Sequence, residues 1–146
     1  MAAIRVELLT YGSSVYELAV QLRYEVLRQP LGLVLYPADM ATDSEEAMFG
    51  AFLKHDLVGC LHLRTLNAEQ VKMRQVAVKA ELRGQGVGAL MVKASEMWAA
   101  ENGFREIVLN ASAVVIPFYL GLGYEAFGGP FEEVGIPHRA MRKKLI

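Results

Sequence analysis

The spacing of apolar residues changes period several times along this chain, and each change marks a predicted element. Ile4 to Leu9 is short and reads as a strand. Tyr11-Gly12-Ser13-Ser14 is a turn whose serines suit a helix N-terminus, and Val15, Leu18, Leu22 and Val26 form the apolar stripe of a helix through Arg28. Pro30 and Gly32 end it, and the stretch to Glu46 keeps no period, reading as a loop with room for a short helix. Met48 to Lys54 and Leu57 to Leu66 are strands on either side of His55-Asp56, most simply an antiparallel hairpin.

The next strand, Val71 to Val78, is apolar at 71 and 73 and then at 76 and 78, so its parity switches. A bulge near Arg74-Gln75 restores one buried face. From Gly86 to Asn102, Val87, Leu90, Met91, Ala94, Met97 and Trp98 recur at helical spacing, and Asn102-Gly103 is the stop signal. Glu106 to Asn110 is a further strand. The succession strand, helix, strand from 71 to 110 predicts one right-handed parallel crossover inside an otherwise antiparallel sheet. Val115 to Leu122 is a short helix with Pro117 in its first turn and Gly123 just past its end. Tyr124 to Phe127 and His138 to Leu145 are late strands, separated by Gly128-Gly129-Pro130 and a loop reaching Pro137. The fold class is α+β with a mixed, mostly antiparallel sheet.

Composition narrows the function more than the fold. A length of 146 residues with 53% hydrophobic content fits a single domain, 1–146, with a core able to keep water from a site. The 15 basic and 16 acidic residues nearly cancel, which argues against nucleic acid as a partner, and the short run Arg142-Lys143-Lys144 reads as an exposed chain end. No apolar run approaches the roughly 20 residues that span a membrane. Cys60 is the one cysteine and no Cys/His cluster has structural zinc spacing, so no disulfide or metal is expected and a reducing cytoplasm is the expected compartment.

The strand ending at Val78 delivers the chain to Arg83-Gly84-Gln85-Gly86-Val87-Gly88, where the long helix begins. Glycines let backbone approach phosphate oxygens, the free N–H groups of a first helical turn donate to them, and the helix dipole favours their charge. Arg83 adds a charge-assisted contact. The run lacks the Gly-Lys-Ser/Thr ending of a P-loop. It formally matches a dinucleotide fingerprint, which keeps an NAD(P)-dependent oxidoreductase as an alternative, but the second strand ends in Asn110 where an acidic residue is needed for ribose.

Arg83 to Gly88, with Val76-Ala77-Val78 before it and Phe118-Tyr119-Leu120-Gly121-Leu122-Gly123-Tyr124 after it, resembles the signature elements of the GNAT N-acetyltransferase superfamily. The resemblance covers roughly residues 70 to 127. It implies a sheet splayed after the strand at 70–78 with helices on both faces, and acetyl-CoA as cosubstrate. It further implies that Val76, Ala77 and Val78 hold the pantetheine arm, that Arg83, Gly84, Gln85, Gly86, Val87 and Gly88 hold the pyrophosphate, and that Asn110 and Phe118 flank the rest. Tyr119 matches the tyrosine that protonates the departing thiolate. A homodimer is an expectation of the same kind.

Direct N-acetyl transfer to a primary amine of a small molecule or peptide also needs a base. The strand Gln70 to Val78 has no carboxylate, where some relatives place a glutamate. Phe131-Glu132-Glu133-Val134-Gly135-Ile136-Pro137-His138 resembles a segment of one branch of the superfamily, and Glu133 or His138 either serves the amine or forms a purely structural loop contact. His62 is a lesser candidate. Cys60 reads as a small buried hydrophobe, and Arg23, Glu25 and Arg28 as solvated charges or as acceptor contacts. A non-catalytic CoA-binding module is the alternative to an enzyme.

Overall fold

Residues 3–145, described by a computed structural model, contain seven strands and three α-helices. In chain order they are β1 (Ile4–Leu8), α1 (Ser14–Arg23), β2 (Ala47–Leu53), β3 (Asp56–Thr65), β4 (Gln70–Val78), α2 (Val87–Glu101), β5 (Glu106–Ser112), α3 (Ile116–Gly121), β6 (Glu125–Glu133) and β7 (Ile136–Lys144). One sheet holds all seven strands in the order β1-β2-β3-β4-β5-β7-β6. The pair β4 and β5 is parallel and the other pairs are antiparallel, as the single crossover through α2 requires. Among the described residues no helix is long and apolar enough to cross a membrane.

The parity switch in β4 resolves as a bulge. His62 pairs with Arg74 and Cys60 with Ala77, so three steps along β4 answer two along β3, and Gln75 takes a φ of 55°. The extra residue keeps Val71, Met73, Val76 and Val78 on the face beneath α2, while Ala77 joins Ala19, Leu22 and Cys60 beneath α1. The two helices therefore cover opposite faces.

Both helices bury most of the expected apolar stripe, but each is rotated enough to expose part of it. Val15, Leu22 and Val26 of the first segment and Val87, Met91 and Trp98 of the second pack on the core. Ser13 caps α1 by accepting from the Tyr16 N–H at 3.1 Å, and the helix passes through a π-helical turn, Tyr24–Arg28, before Gly32 ends the segment at a φ of 70°. It buries Tyr16, Ala19, Leu22 and Arg23, while Leu18 is 58% exposed. The reason lies in the 3-10 turns Pro37–Met40 and Asp43–Glu45, whose Asp43 carboxylate accepts from Tyr16 and Arg23 and whose Asp39 carbonyl accepts from Arg23. On α2 the buried positions are Val87, Met91, Val92, Ser95 and Ala99, and Leu90 and Met97 face outward. Small residues win here because the helix sits close to the sheet: a Cβ on Gly59 would meet Met91 Cε at 2.9 Å.

The C-terminal region is more regular than predicted. β6 and β7 continue to a tight turn at Val134-Gly135, so residues 128–137 form hairpin rather than loop, with Gly128-Gly129-Pro130 inside a register shift between Phe127 and Phe131. Because β7 lies between β5 and β6, Arg142-Lys143-Lys144 belongs to an inner strand. Arg142 lies over the Phe127 ring and pairs with Glu125 at 3.0 Å, and Lys143 reaches Glu96 at 3.1 Å. A short basic run carries no sign of this placement.

Candidate functional site

The parallel pairing of β4 and β5 stops at Met73 with Leu109, although β4 runs on to Val78 and β5 to Ser112. The sheet is splayed there. The Lys79 N–H turns toward β3, donating to Val58 O at 2.9 Å. Backbone groups alternate sides along a strand, so those of Val78 and Val76 turn toward the gap. The widened slot offers an extended ligand a strand edge to pair with.

At the end of that edge a 3-10 turn, Ala80–Leu82, leads to the glycine run. Gly84 and Gly86 have φ of 77° and 86°, a left-handed backbone that a side chain would strain, and the space beside each is open. Gly86 caps α2 through its backbone alone, and its carbonyl accepts from the Leu90 N–H at 3.1 Å. The N–H groups of Val87, Gly88 and Ala89 thus have no carbonyl within the helix to bond and point outward from its positive end. A Cβ on Gly88 would stand 3.2 Å from Phe118 Cζ and 3.9 Å from Val78 Cγ2, so these three residues meet at one wall. Open edge, bare loop and helix N-terminus follow one another without interruption from Val76 to Ala89.

Pro117 starts α3, which carries Tyr119 on its buried side. The Tyr119 ring packs edge-on against Phe118 and Tyr124, with centroids 5.0 and 5.7 Å away. Among the described residues its hydroxyl has no hydrogen-bond partner, and burial pushes its pKa up to about 12. The hydroxyl therefore stays protonated at neutral pH and can donate.

Across the splay, on the α1 face, Asn110, Glu133 and His138 come together. Asn110 Nδ2 donates to Glu133 Oε1 at 3.4 Å, and Glu133 Oε2 lies 3.4 Å from His138 Nε2. His138 Nδ1 is 2.9 Å from Ile136 O, a carbonyl that can only accept, so Nδ1 carries a proton and Nε2 is the atom able to take one. The imidazole is buried and stacks on Phe131. The tight Val134-Gly135 turn is what folds Glu133 back onto His138.

Sequence reasoning missed the polar cluster under α1. Arg23 is wholly buried, which corrects its reading as a solvated or acceptor-facing charge: Nη1 donates to Asp43 Oδ2 at 2.6 Å and Nη2 to Asp39 O at 2.9 Å. The Tyr16 hydroxyl donates to the same Asp43 oxygen at 2.7 Å. Glu46 bonds His62 Nδ1 at 3.0 Å and also receives Thr42 and Arg74. Asp43, Glu46 and His62 bring potential ligand atoms within 4.8 Å of one another, and Arg23 and Arg74 supply the positive charge these carboxylates take. Arg28 is paired with Asp39 at 3.3 Å. Cys60 is buried, its pKa pushed up to about 12 by that burial, so it remains an inert thiol. A signal did exist, since a lone histidine in the apolar strand Leu57 to Leu66 needs a buried partner.

This cluster sets an acid limit on stability. Burial acts to raise the Glu46 carboxyl, but hydrogen bonds from His62 and Thr42 and the Arg74 charge outweigh it and hold the pKa near 2 rather than 4.5. A depressed pKa contributes stability that is complete above about pH 4.5 and is lost as pH falls toward 2. Urea midpoints should therefore fall steeply across that window in the wild type and less steeply in Glu46→Gln; parallel pH dependences would refute this assignment.

Known proteins share this architecture. A candidate N-acetyltransferase from Lactobacillus plantarum superposes with a TM-score of 0.89 at 23% identity over 99% of each chain. A GNAT family acetyltransferase from Elizabethkingia anophelis, solved with acetyl-CoA bound, superposes at 0.78 with 15% identity over 97% of each chain. In sequence, the uncharacterized N-acetyltransferase YjcF of Bacillus subtilis is 37% identical over 73 residues, 49% of this chain and 52% of that protein. The chain thus spans about half the length of the curated relatives it matches. A family model of the acetyltransferase (GNAT) domain matches residues 33–145, from the loop after α1 through the end of β7, and by that match this chain belongs to the GNAT family.

Proposed function

We propose that this protein transfers an acetyl group from acetyl-CoA directly to a primary amine of a small molecule or peptide. The observation that carries the reading is the continuity of the unpaired β4 edge with the glycine-lined N-terminus of α2. Backbone groups of Val76 and Val78, with Ala77 between them, bind the pantetheine arm. Arg83, Gln85 and the N–H groups of Val87, Gly88 and Ala89 hold the pyrophosphate, Gly84 and Gly86 leaving room for it. Phe118 and Asn110 line the remainder.

Acetyl-CoA supplies the activated acetyl thioester and its thiolate leaving group. His138 Nε2 takes the proton of the incoming amine, and Glu133 steadies the imidazolium that results. Tyr119, approaching from the α3 side of the splay, holds the proton destined for the sulfur. Burial of both side chains keeps water from competing with the amine. The acceptor's base thus stands on the bank opposite β4, which accounts for a β4 without a carboxylate.

Thermal shifts with acetyl-CoA and NADH, followed by a panel of polyamines, amino sugars, amino acids and peptide amines, test the proposal. Acetyl-CoA should raise the melting temperature by mass action and at least one amine should release CoA stoichiometrically with an N-acetyl product. Binding without transfer to any amine would favour a CoA-dependent interaction module, and stabilisation by NADH alone would overturn the reading.

A further inference from the structure

Arg74 stands where β4 leaves β5. It follows the last parallel pair, Met73 with Leu109, so its level on the opposite bank is that of Asn110. Both side chains lie on the α1 face: Arg74 pairs with His62 on β3, and Asn110 reaches Glu133. Nη1 of Arg74 is engaged by Glu46 and Thr42. Among the described residues Nε and Nη2 have no partner, and neither is sealed from solvent in a side chain that is 19% exposed. Glu46 is in turn fixed from behind by His62, so the guanidinium is held in one direction with a free donor edge. Arg64 and Lys72, a cross-strand pair next along the same face, add positive charge to this bank.

The opposite bank has the complementary character, with the Glu133 carboxylate and the His138 imidazole suited to an amine. Arg74 and Asn110 stand one level past the last pair, where the strands begin to part from a paired spacing of about 4.8 Å, so a short bifunctional molecule suits the space between the two banks. A planar two-donor guanidinium edge matches a carboxylate. We infer that Arg74 binds a carboxylate of the acceptor, and that the acceptor class is amines bearing a carboxylate within a few bonds of the nitrogen, as in free α-amino acids. This rests on the transferase reading above and names its substrate class.

The experiment compares the free α-amino acids with their carboxamides, and phosphoethanolamine with ethanolamine, as acceptors for the full chain with acetyl-CoA. Calorimetric titration of the same compounds into the CoA-saturated protein runs beside it. At least one amino acid should exceed its amide in kcat/KM by about 100-fold, the scale of a lost buried charge contact. Arg74→Lys keeps a cation against Glu46 but loses the planar donor edge. It should raise KM for that acid about tenfold or more with little change in kcat, as for a contact made equally in ground and transition states. Amides used or bound as well as acids, or phosphoethanolamine preferred to every amino acid, would overturn the inference while leaving the transferase intact. Acid-selective binding with no transfer would support the carboxylate subsite and overturn the transferase reading instead.

Discussion

Tyr119→Phe is expected to lower kcat for amine acetylation by about 10²–10⁴-fold, the usual contribution of a positioned acid, while leaving acetyl-CoA affinity unchanged. The ring loses only its hydroxyl, so its packing against Phe118 and Tyr124 survives and the fold should not move. That hydroxyl has no hydrogen-bond partner among the described residues, and its removal leaves no buried group unsatisfied. With the pKa raised by burial to about 12, the phenol keeps its proton across any practical assay range. The wild type should therefore show no alkaline loss of rate from this group, and the deficit of the variant should be uniform with pH. Steady-state rates at several pH values, with acetyl-CoA titrated separately, measure both. An unchanged kcat would assign protonation of the thiolate to water.

The largest stability effect is expected from Asp43→Ala. It strips Arg23, a wholly buried cation, of its 2.6 Å carboxylate and Tyr16 of its hydrogen bond. Breaking one side of a buried pair costs about 3–5 kcal/mol, because the surviving charge keeps its desolvation penalty without compensation. For a chain of this size that is a fall on the order of 10 °C in melting temperature. Removing both charges in Arg23→Met with Asp43→Leu should recover much of the loss, since a well-packed apolar pair can replace a buried ion pair at little cost. Thermal and urea unfolding of the single and double variants test this; a single variant within about 1 kcal/mol of wild type, as for an exposed pair, would mean that Arg23 finds another partner.

How much of this was legible beforehand depends on whether a residue advertises its partner through spacing. The β4 bulge was readable because Val71, Met73, Val76 and Val78 violate strand parity by one step, and only an extra residue mends it. The glycine turn was readable because chain order placed it between a strand and a helix. Glu133 and His138 stood out as candidates by residue type, but their approach to 3.4 Å depends on a hairpin turn at Val134-Gly135 where the sequence reads as a loop, so the pairing itself was not legible. The buried faces of α1 and α2 were read only in part, because apolarity ranks Leu18, Leu90 and Met97 above Arg23, Ser95 and Ala99. Packing distance and polar partners decided otherwise. Asp43 and Glu46 sit in a stretch without period, and nothing in their spacing tells of Arg23, His62 and Arg74, which arrive from three different elements.

The splay between β4 and β5 also bears on how the protein behaves without its ligand. Free N–H and C=O groups at Val76 and Val78 make an internal strand edge, chemically equivalent to the rim of an unprotected sheet. A slot of that kind accepts any extended backbone, whether a loose peptide or a neighbouring molecule's chain end. An extended ligand lying there therefore acts as a plug against self-association as well as a reactant, and the ligand-depleted protein is the state most exposed to strand addition.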